Sequence, residues 1–116
     1  MNIFDFVRVG ERTTKIYEEK GATWQTPFDA VAYCHSEVSE VFQVLRNKNK
    51  EYGHIYDKSW YDKLAEEIAD IMISAMTIWE IVPGTESVKL ADAIEAKISI
   101  VLKKAEEYKY EVDGNI

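Results

Sequence analysis

The chain has 116 residues, a length that suits one domain. Apolar residues make up 47% of it and aromatic residues 12%, enough to build a core and too many for a disordered tail. A net charge of −7 and the lack of any basic block argue against a nucleic-acid backbone as the main partner.

Four helical segments are predicted along one domain spanning 1–116, with neighbouring helices antiparallel. The first, within residues 1–25, carries Phe6, Val9, Thr13, Ile16 and Tyr17 at helical spacing and stops near Gly21. Asp5, Arg8 and Glu11 interrupt its apolar pattern, which speaks against a secretory leader. Thr26 and Pro27 then supply an N-cap and a first-turn proline for a second helix over 26–47. Its apolar face is read as Ala30, Tyr33, Cys34, Val41, Val44 and Leu45. The polar stretch 48–58 forms the longest loop.

A third helix is expected over 59–82, capped by Ser59 and ended by Pro83-Gly84. It is apolar on several sides, and Met72, Met76 and Trp79 are read as a subunit interface. A fourth helix over 86–109 would pack through Val88, Ala91, Ile94, Ile98, Val101, Leu102 and Ala105, leaving 110–116 as a frayed tail. The single cysteine, Cys34, excludes an intramolecular disulfide and suits a reducing, cytoplasmic setting. The longest uncharged run, 71–79, is too short to span a bilayer, so no membrane partner is expected.

The informative residues are two acidic pairs, Glu37/Glu40 and Glu67/Asp70, each placing two carboxylates on one helix face. The spacing alone decides nothing, because Asp92/Glu95 shares it and looks like a solvated surface. Context separates them. Glu37 stands in the row Ala30, Tyr33, Val41, Val44, and Glu67 in the row Trp60, Leu64, Ile71, where apolar residues belong.

Charge on a packing face is costly without a partner, and a hard divalent cation is one such partner. Heights agree as well. In an antiparallel pair, Glu40 and Glu67 both lie roughly 10–12 Å from the connecting loop at a rise of about 1.5 Å per residue. All four acids can therefore converge; the alternative is a solvated acidic surface.

The strings His35-Ser-Glu-Val-Ser-Glu-Val-Phe-Gln-Val-Leu-Arg46 and Leu64-Ala-Glu-Glu-Ile-Ala-Asp-Ile-Met-Ile73 resemble the MazG-like, all-α nucleoside triphosphate pyrophosphohydrolases. That superfamily includes dCTP-pyrophosphatase-like and dimeric dUTPase enzymes. The likeness runs from about Trp24 to Lys97.

It implies an oligomeric, MazG-like four-helix bundle that converts a (d)NTP to the monophosphate and pyrophosphate. Glu37, Glu40, Glu67 and Asp70 would be the catalytic metal ligands, holding Mg²⁺, for which Mn²⁺ can substitute. Assembly as a homodimer or homotetramer is implied too.

Trp24 matches a base-stacking aromatic, with a packing tryptophan as the alternative. Lys97 matches a phosphate-approaching lysine, with a surface lysine as the alternative. Lys48, with Arg46 and Lys50, could meet phosphate at the end of the second helix, with a solvated loop as the alternative. Ser36, Ser39 and Val101 stand where the family often has an acid, a glycine and an asparagine, which leaves base and sugar open.

A phosphoribosyl-ATP pyrophosphatase is the nearest rival within this fold, and a silent helical interaction or regulatory protein the rival outside it. A di-iron bundle would need Glu-x-x-His on two helices, and only Glu51/His54 matches, in the loop.

Overall fold

A computed structural model describes residues 2–21 and 26–114 of the chain, with side chains up to residue 108. It contains four helices: α1 (Ile3–Glu19), α2 (Pro27–Arg46), α3 (Lys58–Glu80) and α4 (Ser87–Gly114). Among the described residues there is no strand beyond one isolated bridge between Glu51 and Gly53. Among the described residues no helix is long and apolar enough to cross a membrane.

The helix starts follow from local chemistry. Asn2 and Asp5 form a reciprocal capping box on α1, and Thr26 and Asp29 form another on α2, each satisfying donors that the first turn leaves free. Pro27 follows at a position that needs no N–H. The third start differs from expectation. Asp57, not Ser59, is the N-cap residue of α3, and it makes no side-chain cap bond. Ser59 already lies inside the helix with its hydroxyl against Gly53, where it leaves no space for a Cβ, and the Gly53 φ of +88° separately favours glycine. Helix α4 continues through most of the expected tail, to Gly114, and residues 115–116 lie outside the described residues.

Packing is sequential in space but not in sequence. The extensive contacts are α2 with α3, α3 with α1, and α1 with α4. The bundle is therefore an open row in the order α2, α3, α1, α4. Two apolar seams hold it. Val7, Met76 and Ala91 are buried where α1, α3 and α4 meet, flanked by Phe4, Phe6 and Ile94.

Between α2 and α3, Ala30, Val44 and Trp60 are buried. Trp60 Nε1–H donates to the Val44 carbonyl at 3.0 Å, satisfying one of the free acceptors in the last turn of α2. This contact between the end of α2 and the start of α3 shows the two to be antiparallel.

Several packing expectations change. Met76 belongs to the core of its own chain and is not an exposed interface residue, while Trp79 is half-buried with its indole N–H on the Glu86 carbonyl. Met72 does remain 48% exposed. Tyr33 and Leu45 on α2, and Val88, Ile98, Val101 and Leu102 on α4, are exposed rather than packed. The reason is the row itself, since an end helix has a neighbour on one side only.

Candidate metal centre

The antiparallel α2–α3 pair brings the two acidic motifs to one height. Glu37 and Glu40 from α2 and Glu67 and Asp70 from α3 each offer a carboxylate oxygen, and these oxygens all lie within 4.8 Å of one another. Glu37 and Glu67 are 6% and 5% exposed, Asp70 is half-buried, and Glu40 faces solvent. The centre thus has a dry inner wall and one open side. Asp92 and Glu95, equally spaced in sequence, are both exposed on α4 and do not join it.

Two neighbours fix the buried carboxylates. The Tyr33 hydroxyl bonds to Glu37, and this contact, with burial and the nearby acids, raises the tyrosine pKa. Lys63 Nζ lies 2.9 Å from Glu67 Oε1 and 5.6 Å from the centre of the Tyr52 ring. The ammonium holds the Glu67 pKa below the usual carboxylate value, against the opposing effect of burial. Glu40 is pushed the other way, because Glu67 and then Glu37 crowd it.

The arrangement leaves a polar deficit. Glu67 Oε2 is buried and has no hydrogen-bond partner among the described residues, an arrangement that is costly in a folded interior. A cation seated among the four carboxylates would satisfy it. The donor set is all oxygen and carries up to four negative charges with one ammonium beside it, which suits a hard divalent ion. The residues present fit that ion.

The other sequence-derived site residues scatter. Lys48 lines a cleft of about 300 Å³ at the α2–α3 loop, with Arg46, Asn47, Asn49 and Tyr52. Tyr52 connects this cleft to Lys63 and so to the acidic centre. Lys97 instead lines an apolar groove on α4 with Ile94, Ile98 and Val101, and none of the four acids borders that groove. Trp24 lies outside the described residues. His35 and His54 are exposed, away from the cluster.

Three residues of the centre were not foreseen: Tyr33 as an anchor, Lys63 and Tyr52. Two carried a readable signal, since Tyr33/Glu37 and Lys63/Glu67 are both i, i+4 pairs. Comparisons of the chain with protein-family models, with curated proteins and with solved structures give no match.

Proposed function

We propose that the chain is a Mg²⁺-dependent nucleoside triphosphate pyrophosphohydrolase of the MazG-like kind. It would work on the cytoplasmic nucleotide pool as a homodimer or homotetramer. The observation that carries this reading is the convergence of Glu37, Glu40, Glu67 and Asp70 around the unpartnered buried oxygen of Glu67. These four residues would hold the ion. When bound, Mg²⁺ supplies neutralisation of the triphosphate and Lewis-acid activation of water at the α-phosphorus.

The chain's own groups do the positioning. Tyr33 and Lys63 fix Glu37 and Glu67 so that neither carboxylate turns away. Glu40 borders the open side, where a polyphosphate enters. Lys63, and beyond Tyr52 the Arg46 and Lys48 side chains of the loop cleft, offer positive charge to the phosphates. Trp24 would stack on the base, as the resemblance implies.

Thermal unfolding in a Mg²⁺ or Mn²⁺ titration tests the centre. An ion at a hundred times its dissociation constant stabilises by about 2.7 kcal/mol, a shift of many degrees for a domain of this size. Glu67→Gln should remove the shift. An unchanged melting temperature in millimolar cation, for wild type and variant alike, refutes the metal reading. Pyrophosphate release across a panel of (d)NTPs and phosphoribosyl-ATP then separates the housekeeping activity from the phosphoribosyl-ATP pyrophosphatase alternative and from a silent bundle.

A further inference from the structure

Helix α2 has a second apolar stripe that its own chain does not use. Phe28, Val31, His35, Val38, Phe42 and Leu45 follow one another in alternating steps of three and four residues. That is the a/d spacing of a coiled-coil seam, sustained over most of a helix about 30 Å long. The five apolar members are exposed, from 47% at Val38 to 83% at Phe28. At 100° per residue the stripe points about 160° away from Glu37 and Glu40, so it belongs to the outer face of the row.

The chain as a whole exposes more surface than a compact monomer of its mass. Its accessible area is 8937 Å², whereas a compact monomer of 13.4 kDa exposes about 6,500 Å². Its radius of gyration is 17.9 Å, against about 13 Å for a compact domain of about 100 residues. The excess, about 2,400 Å² per chain, exceeds the ~800 Å² per partner that a stable interface needs.

We propose that the α2 stripe is a homodimer seam, in which α2 of one chain packs antiparallel against α2 of a second copy. The side-chain sizes favour that direction. Antiparallel pairing about the middle of the stripe sets Phe28 against Leu45 of the second copy, Val31 against Phe42, and His35 against Val38. Large groups then meet smaller ones along the whole seam, whereas parallel pairing would stack phenylalanine on phenylalanine and valine on valine.

Charge agrees. Antiparallel pairing separates the two copies of Arg46, whose guanidinium lies 5.4 Å from the Phe42 ring, by nearly the length of the helix. Parallel pairing would bring them together. Ala32 and Ser39, exposed beside the stripe, are small enough to let the helices approach.

The test is the mass in solution by size-exclusion chromatography with light scattering at micromolar concentration. The wild-type protein should run as two or four chains, and Val38→Glu should halve that mass while helical circular dichroism is retained. In a Cys34→Ser background, mild oxidation should cross-link a mixture of Val31→Cys and Phe42→Cys proteins and neither protein alone. A monomeric wild type, an assembly whose mass survives Val38→Glu, or cross-linking of Val31→Cys by itself overturns the proposal. Should Val38→Glu fail to fold, the cross-linking pattern decides. The seam lies on the face opposite the acids, so the cation-dependent melting shift is read separately and its loss would not touch this inference.

Discussion

Gly10 sits where α1 and α3 come closest, and Gly10→Ala measures that approach. A Cβ at this position would stand 2.8 Å from Met76 Cβ, 3.3 Å from the Met76 carbonyl carbon and 3.4 Å from its oxygen. Ordinary carbon contacts lie near 3.5–4.0 Å, so α1 would have to retreat by about 1 Å. Neither a Cβ nor a backbone carbonyl can turn aside as a side-chain end can. The retreat would loosen the seam that buries Val7, Met76 and Ala91.

Overpacking costs about 1–3 kcal/mol, a rigid contact such as this falls in the upper part of that range at about 2–3 kcal/mol, and alanine returns about 1 kcal/mol through helix propensity. The net expectation is a loss of about 1–2 kcal/mol. Urea unfolding followed by circular dichroism, at equal protein concentration, should show the midpoint falling by about 0.5–1 M at a slope near 2 kcal/mol/M. A variant as stable as wild type, or more stable, refutes the reasoning, because propensity alone would then govern the site.

Trp60→Phe should cost about 1–3 kcal/mol in the same assay, since the buried Val44 carbonyl loses its donor while most of the ring packing survives. Glu80 tests pH dependence. Burial, and to a smaller extent the nearby Glu11, raise its folded pKa, so its neutral form is favoured in the fold. Its contribution is therefore full below the unfolded value of about 4.3 and is lost as pH rises through the folded pKa. Glu80→Gln, which retains an acceptor for the Ser87 hydroxyl, should raise the melting temperature at pH 7 and have no such effect below pH 4. A pH-independent difference between the two proteins would exclude this account.

How far the sequence could be read depended on whether the signal was local. The Thr26/Asp29 capping box and the i, i+3 acids depend on neighbours along one helix, and their helix and height followed. Which helices touch does not follow from periodicity. Met76 and Ile98 look alike as apolar positions on an amphipathic helix, yet one is core and the other exposed. The difference arises from the order of the row, a property of tertiary packing. Ser59 was displaced as a cap for the same reason, since the Gly53 turn set where α3 begins. Lys63 carries a local signal, its i, i+4 spacing to Glu67, but only the burial of that glutamate distinguishes it from a surface lysine.

The placement of the centre bears on how the chain folds and varies. All four carboxylates and both of their anchors lie in the α2–α3 hairpin, and facing acids are only about thirty residues apart along the chain. The entropy of closing such a loop grows slowly with its length, so the ligand set can assemble before α1 and α4 dock. The same locality separates the candidate centre from the rest of the architecture. Substitutions in α1 or α4 can retune stability while the four carboxylates keep their spacing.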